Sequence, residues 1–164
     1  MPDMLCSLVD LPPIAPLLEE LRARGVTIRR PNPWEATPLR TFITTHFTVG
    51  WADEAAVCFH HQPVTGFVAH ANGAIIGFSV YECSRRNYFG PTGVDPAWRG
   101  AGVGKALFLA ALAGLRELGY TYAIIGDAGP VDFYRKSVGA IPISIGDGRG
   151  IYPLKEDPML RSLK

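Results

Sequence analysis

The spacing of apolar residues changes period along the chain, and each change predicts a different element. Residues 17–25, LLEELRARG, place apolar side chains at helical spacing and predict a short helix. The alternating stretch VTIRR over residues 26–30 predicts a first strand. Two further helices follow, one ending near His46 and one over residues 50–61, with Asp53 and Glu54 in the first turn of the latter.

From residue 64 onward the apolar period becomes two, which is typical of strands. The stretch VTGFVAHANGAIIGFSVYEC predicts two strands joined at Asn72-Gly73, a dipeptide that favours a tight hairpin. Residues 87–94 predict a third strand of the same run.

The second half of the chain alternates helices and strands. The predicted elements are a helix over 102–118, a strand over 121–126, a helix over 129–139, and closing strands AIPISI (140–145) and GIYPL (150–154). This order predicts a mixed α/β fold with one parallel β-α-β crossover. We expect residues 1–25 to form an N-terminal arm and helix, and residues 26–164 to form a single domain.

Composition and charge limit the function classes. Apolar residues make up 48% of the chain and charged residues 19%, with a net charge of +1, which is typical of a globular domain. Basic residues occur as short pairs such as Arg29-Arg30 and Arg85-Arg86, so we expect no nucleic-acid partner. The first residues lack a basic start, and no apolar run reaches the length of a membrane span, so we expect no signal peptide and no membrane contact.

The cysteines predict neither a metal site nor a disulfide framework. Cys6, Cys58 and Cys83 are widely spaced, and no CxxC pair occurs. We therefore expect free thiols, no metal and a cytoplasmic location.

A glycine-rich stretch, Arg99-Gly100-Ala101-Gly102-Val103-Gly104-Lys105, separates a predicted strand from a predicted helix. Each glycine inside a helix costs about 1 kcal/mol relative to alanine. Glycines at a helix start let an anion approach unpaired N–H groups, and a diphosphate fits such a place. Alternatively, the glycines serve only to pack the helix closely on the strand.

Two familiar phosphate loops do not fit this stretch. A P-loop needs glycine at position 99 and Ser or Thr at position 106, which are Arg99 and Ala106 here. The dinucleotide fingerprint GxGxxG needs glycine where Lys105 stands.

The stretch resembles instead the R/Q-x-x-G-x-G/A pattern of the GNAT superfamily, the acyl-CoA-dependent N-acetyltransferases. A second segment, GPVDFYRKSVGA, is similar to the family's AxxFYxKxGF segment, and the resemblance covers residues 26 to 153. It implies a GNAT-like fold, with a largely antiparallel central sheet flanked by helices. It also implies acetyl-CoA as the acyl donor, without a metal.

The resemblance further implies where acetyl-CoA lies. Backbone N–H groups of residues 101–104 bind the pyrophosphate, and strand 88–94 separates from strand 121–126 to admit the pantetheine arm. The cofactor-binding residues implied are Val94, Arg99, Gly100, Ala101, Gly102, Val103, Gly104, Lys105 and Tyr134.

Acetyl transfer to an amine needs a proton donor for the departing thiolate and a route for the amine's proton. The resemblance implies Tyr134 as the donor; the alternative is an aromatic ring that packs the helix, as Phe133 does. Asp127 and Glu82 are the carboxylate candidates for the base. Asp127 could equally cap the following turn, Glu82 could face solvent at a strand end, and a water-relayed proton is a third route.

The resemblance thus implies an N-acetyltransferase that acetylates a primary amine of a small molecule or peptide by direct attack in a ternary complex. The resemblance implies an acceptor pocket in the first helices and central strands, where aromatic residues suit a small amine with an apolar or planar body: Trp51, Phe59, Tyr81, Tyr88 and Phe89. Arg85 and Arg86 could steer an acidic acceptor or simply lie at the surface. An alternative is an inactive acyl-CoA-binding module that acts as a sensor, and a third reading is a scaffold with a purely structural turn. The N-terminal arm and exposed strand edges are compatible with a homodimer.

Overall fold

A computed structural model describes residues 1–144 of the chain. Its strands, in chain order, are β1 (Met4–Ser7), β2 (Thr27–Arg29), β3 (Gly66–Ala71), β4 (Ala74–Tyr81), β5 (Tyr88–Val94), β6 (Tyr122–Ile125) and β7 (Ile141–Pro142). Its α-helices are α1 (Ala15–Ala23), α2 (Ala36–His46), α3 (Val49–Ala56), α4 (Val103–Glu117) and α5 (Val131–Val138). Short 3₁₀ turns cover Pro33–Glu35, Val57–His60 and Pro96–Trp98.

All of these strands belong to one sheet, in the order β2-β3-β4-β5-β6-β1-β7. Neighbouring strands are antiparallel except β5 and β6, which are parallel and are connected through α4. The predicted mixed α/β fold with one parallel crossover is therefore confirmed.

The β3–β4 hairpin turns where the sequence predicts it. Ala71 pairs with Ala74, so Asn72 and Gly73 form a two-residue loop. Both have positive φ, 53° and 76°, as a type I′ turn requires.

Helices cover both faces of the sheet. Alternate residues of β3 point to opposite faces, so Val68 packs with α2 and α3 while Ala69 packs with α1 and α4. Helix α4 lies across β3, β4 and β5 and buries most of its length. This packing fixes the start of α4 beside the end of β5.

Strand β1 is absent from the sequence-based prediction, which assigns residues 1–25 to an arm and a helix. Met4 and Cys6 are buried, and β1 pairs with both β6 and β7 inside the sheet. Four residues are too few to display a period of two, and their partners lie more than a hundred positions away in the chain. The division at residue 25 therefore falls within one continuous sheet.

The C-terminal predictions are met only in part by the described residues. Of the strand predicted over 140–145, β7 forms over Ile141–Pro142. The strand predicted over 150–154 and the turn before it lie outside the described residues. Among residues 1–144, no helix combines the length and apolar character needed to cross a bilayer.

Candidate functional site

The two parallel strands at the centre of the sheet separate after a short contact. β5 and β6 pair only at Tyr88↔Ile124 and Phe89↔Ile125. β6 then ends, while β5 continues to Val94 with its other edge paired to β4. From Gly90 to Val94, no described strand lies beside β5 on this edge, so the predicted separation is present.

A cleft of about 510 Å³ occupies this gap. It runs along β5 to the start of α4, and its other wall is formed by the segment after β6 and by α5. Of the predicted site residues, five line it: Val94, Arg99, Gly104, Asp127 and Tyr134.

One end of the cleft is the glycine turn. Gly102 is the N-cap of α4 in the left-handed conformation, with φ of 87°, and no side chain caps this helix. The first helical bond of α4 runs from the N–H of Ala106 to the carbonyl of Gly102, so the N–H groups at the helix start have no intrahelical partner. Together with the positive end of the helix dipole, these N–H groups can donate hydrogen bonds to an anion.

Close helix–strand packing does not explain the glycines. A Cβ on Gly100 would meet nothing within 4 Å, and a Cβ on Gly104 would lie 3.5 Å from Val94 Cγ2, an ordinary contact. Only Gly102 is tight, at 3.1 Å from Leu17 Cδ1, and Leu17 belongs to α1 rather than to a strand. These distances argue against the alternative that the glycines serve only to pack α4 closely on a strand.

Positive side chains border the outer side of the turn. The Arg24 guanidinium donates a hydrogen bond to the carbonyl of Ala101 at 3.1 Å, and Arg99 Nε donates to the carbonyl of Val94 at 3.3 Å. Both arginines, with Gly100 and Ala101, line a shallow pocket of about 440 Å³. Arg24 was not predicted from the sequence, because it follows α1 and lies far from the motif in the chain.

The remaining motif residues differ in accessibility. Val103 is fully buried and begins α4, so only its backbone can face a ligand. Lys105 is exposed in the first turn of α4 and does not line the cleft.

Tyr134 lies on α5 and lines the cleft. It is only 6% exposed, and its ring packs edge-on against Phe108 and Phe89, with centroids 5.2 and 6.2 Å apart. Burial raises the pKa of its hydroxyl to about 12. Phe133 also lines the cleft, so both aromatic residues of this segment face it, and Tyr134 is the more buried of the two.

The two predicted carboxylates have different surroundings. Asp127 follows β6 with φ of 49°, lines the cleft, and places Oδ1 3.0 Å from the amino nitrogen of Met1. Its N–H donates to Asp3 Oδ1 at 2.9 Å. Glu82 follows β4 and does not line the cleft; its carboxylate accepts a hydrogen bond from the N–H of Asn87 and closes the loop before β5.

Another part of the cleft lining consists of side chains from α3 and the loop before it. Phe47 stacks on Trp51 with centroids 5.3 Å apart, and both line the cleft together with Glu54 and Ser84. From the sequence, Glu54 was predicted only as a charge in a first helical turn. Because α3 begins at Val49, Glu54 lies instead in its second turn, three residues after Trp51.

Not all of the aromatic residues predicted for the acceptor lie here. Trp51 and Phe89 line the cleft. Tyr81 is buried in the core, and Phe59 lines a separate small pocket between α2 and α3. Among residues 1–144, no group of three or more His, Cys, Asp or Glu side chains is placed to hold a metal ion.

Comparison with known proteins places this geometry in a family context. Residues 62–137 match the family model of the acetyltransferase (GNAT) domain. A comparison with curated proteins finds no match.

Solved structures of similar fold include three acetyltransferase chains. The GCN5-related glucosamine N-acetyltransferase region of a fungal multi-domain GH3 beta-N-acetylglucosaminidase has a TM-score of 0.71 at 17% identity, covering 87% of this chain and 19% of that one. A GCN5-related N-acetyltransferase from Sphaerobacter thermophilus has a TM-score of 0.61 at 19% identity, covering 87% of this chain and 48% of that one. A GNAT family acetyltransferase from Brucella melitensis in complex with acetyl-CoA has a TM-score of 0.51 at 21% identity, covering 76% of this chain and 92% of that one. The chain thus spans less than half the length of the first two, and these similarities establish the fold.

Proposed function

We propose, from the match of residues 62–137 to the acetyltransferase (GNAT) domain model and from the geometry of the cleft, that the protein is an N-acetyltransferase that transfers the acetyl group of acetyl-CoA to a primary amine of a small molecule or peptide. The observation that carries this proposal is the cleft between β5 and β6, which ends at the uncapped start of α4. A narrow cleft with an anion site at one end fits a long thioester that carries a pyrophosphate.

Backbone groups hold the donor. The N–H groups at the start of α4, from Gly102 to Gly104, bind the pyrophosphate, and Arg99 adds a positive charge nearby. The edge of β5 between Gly90 and Val94 offers backbone partners to the pantetheine amides.

Tyr134 keeps its proton until the thiolate departs. Acetyl-CoA supplies the thioester; the amine nitrogen forms the new bond to the acetyl carbon as the carbon–sulfur bond breaks. The Tyr134 hydroxyl then gives its proton to the sulfur, and a pKa of about 12 means that this proton is present at neutral pH.

The amine must lose a proton before it attacks, because a typical alkylamine of pKa about 10 is charged at neutral pH. We assign this proton to a water-relayed path past Asp127, which lines the same cleft as Tyr134. Glu82 is the weaker candidate, because it lies outside the cleft lining and its carboxylate already accepts from Asn87.

An acyl-CoA-binding module without turnover is the second candidate. This candidate is favoured because both carboxylates considered as the base already have partners. The Glu82 carboxylate accepts a hydrogen bond from the N–H of Asn87 and closes a loop, and the Asp127 carboxylate lies against the Met1 amino group. A module of this kind binds acetyl-CoA but releases no thiol when amines are added.

Calorimetric titration with acetyl-CoA, CoA and NAD, followed by a thiol-release assay on a panel of amines, tests the proposal. We expect acetyl-CoA and CoA to bind, NAD not to bind, and at least one amine to release CoA thiol. Binding without thiol release favours the second candidate. Failure of acetyl-CoA and CoA to bind contradicts both.

A further inference from the structure

Asp3 lies at the point where β5 and β6 separate. It directly precedes β1, whose Met4 pairs with Ile125, the last residue of β6. Asp3 is only 7% exposed, although it carries a carboxylate. A carboxylate buried to this extent needs hydrogen bonds to offset the loss of water. The hydrogen-bond partners of Asp3 therefore show which parts of the fold it holds together.

The two oxygens of this carboxylate contact the two sides of the separation. Oδ1 accepts a hydrogen bond from the N–H of Asp127 at 2.9 Å, in the segment that follows β6. Oδ2 accepts a hydrogen bond from the hydroxyl of Tyr88, the first residue of β5, at 3.3 Å. Burial, and after it the charge of Asp3, raises the pKa of the Tyr88 hydroxyl, so this hydroxyl keeps the proton that it donates. One side chain thus joins the start of β5 to the segment after β6.

The segment after β6 has a backbone conformation that needs support. Asp127 has a positive φ of 49°, which is uncommon for residues other than glycine. The N–H of Ala128 donates to the carbonyl of Pro2 at 2.8 Å. The Met1 amino group contacts the side chain of Asp127, whereas Asp3 contacts its backbone. Asp3 therefore fixes the backbone at Asp127.

The same segment is a wall of the cleft. Gly126, Asp127, Gly129 and Pro130 line the cleft, and α5 with Tyr134 follows directly. A displacement of this segment would move Asp127, which lies on the proposed proton path, and the start of the helix that carries Tyr134. Displacements of about 1 Å lower the rate of a reaction strongly, because the reacting groups must meet in a defined geometry.

We propose that Asp3 is a positioning residue for acetyl transfer, which fixes the segment after β6 against the start of β5 and thereby places Asp127 and Tyr134. Asp3 does not line the cleft, so it acts through this segment and not on a substrate. The inference rests on the proposed function and adds to it a residue that lies far from both sequence motifs.

Amide hydrogen exchange, followed by NMR on the protein without ligand, tests the contact itself. Asp3→Ala removes both acceptor oxygens, whereas Asp3→Asn retains one acceptor for the N–H of Asp127. We expect the Asp127 amide to exchange about tenfold faster in Asp3→Ala than in the wild type, and Asp3→Asn to stay within about threefold of the wild type. The amide of Ala123, a fully buried residue of β6, is the reference for global unfolding. Unchanged exchange at Asp127, or equal acceleration at Ala123, overturns the inference.

Kinetics then test whether this contact serves the reaction. We expect the kcat of Asp3→Ala to fall about tenfold, Asp3→Asn to recover most of this loss, and the Kd for CoA to change by less than about threefold, because the glycine turn is untouched. The matched control is Asp10→Ala, which removes an exposed carboxylate after β1 and should keep the wild-type kcat. An unchanged kcat in Asp3→Ala, or an equal fall in Asp10→Ala, overturns the inference.

A second variant keeps the test decisive if Asp3→Ala does not fold. Tyr88→Phe keeps the ring and removes the hydrogen bond between β5 and Asp3. We then expect its kcat to fall about threefold or more with the Kd for CoA unchanged, and an unchanged kcat overturns the inference.

Failure of the proposed function is distinguishable from failure of this inference. If the wild-type protein binds no CoA or releases no thiol with any amine, the acetyltransferase proposal fails. The exchange measurement needs neither substrate, so it still shows whether Asp3 fixes the segment after β6. If the wild type turns over and Asp3→Ala matches it, the function stands and the positioning role of Asp3 fails.

Discussion

Two regions of the cleft are built in different ways. The proposed donor end, at the glycine turn and along β5, presents backbone N–H and carbonyl groups. The region beside α3 presents side chains, those of Phe47, Trp51 and Glu54. A site made of backbone is sensitive to added atoms and backbone strain, whereas a site made of side chains is sensitive to the loss of particular groups.

The largest expected effect is at the donor end, from Gly102→Asp. Gly102 has φ of 87°, its Cβ would lie 3.1 Å from Leu17 Cδ1, and the new carboxylate would put a negative charge beside the N–H groups at the start of α4. We expect the Kd for CoA to rise more than about 100-fold, measured by calorimetry.

The control for this variant is Gly119→Asp. Gly119 has a similar φ of 94°, a Cβ added there would meet nothing within 4 Å, and the residue does not line the cleft. Both variants carry a backbone cost of about 1–2 kcal/mol, which urea unfolding measures, but Gly119→Asp keeps its affinity for CoA. A Kd for CoA in Gly102→Asp that matches the wild type would remove the turn from the donor site.

Tyr134→Phe is expected to lower kcat about 100-fold. The ring and its packing against Phe89 and Phe108 remain, so the Kd for CoA should change by less than about threefold. Because the pKa of Tyr134 is about 12, this hydroxyl adds no limb to the wild-type pH profile of kcat between pH 6 and pH 10. Tyr122→Phe, at a residue that is 53% exposed, is the control. An unchanged kcat in Tyr134→Phe would exclude it as the proton donor.

Gly93→Ala tests the boundary between the two regions of the cleft, because Gly93 of β5 lies against Phe47. Its backbone belongs to β5, but its Cβ would lie 2.3 Å from Phe47 Cζ and would displace the ring that supports Trp51. We expect the KM for the amine to rise about tenfold and the KM for acetyl-CoA to change by less than about threefold, from steady-state kinetics. Gly50→Ala is the control, since its Cβ would lie 3.9 Å from Thr48 Oγ1. Equal changes in the KM for the amine and the KM for acetyl-CoA would contradict separate binding regions for the two substrates.

The smallest expected effect on the cleft comes from Glu35→Gln, at the β2 edge of the sheet. Glu35 accepts two hydrogen bonds from Arg29, at 2.7 and 2.8 Å, and these lower its pKa from 4.5 to about 2. We expect urea unfolding at pH 7 to show a loss of about 1–3 kcal/mol in stability, with unchanged CoA and amine binding.

The pH dependence of this effect has a definite sign. Because the pKa of Glu35 is lower in the folded protein, its contribution is complete above pH 4.5 and is lost as the pH falls towards 2. The difference in stability between wild type and Glu35→Gln should therefore be smaller at pH 3 than at pH 7. A difference that does not depend on pH would contradict the ion pair as its origin.

The glycine turn at the start of α4 could be predicted from the sequence because its conformation depends on consecutive residues. Arg99 to Lys105 stand together in the chain, and a left-handed N-cap favours glycine at residue 102. The hairpin at Asn72-Gly73 was predictable for the same local reason.

The parts that were missed depend on contacts between distant segments. β1 is short and is defined by its pairing with β6 and β7. Arg24 contacts the glycine turn and Glu54 lines the cleft because of how α1 and α3 pack, and neither stands in a local pattern that distinguishes it from other charged helical residues.

Amide NMR during stepwise titration tests the central claim, that backbone binds the donor and side chains bind the acceptor. We predict that CoA shifts the amide signals of Gly102, Val103 and Gly104 most strongly and moves those of Trp51 and Glu54 little. Subsequent addition of the amine should shift the signals of Trp51 and Glu54. If CoA leaves the signals of the glycine turn in place, or moves those of α3 as strongly, the account is contradicted.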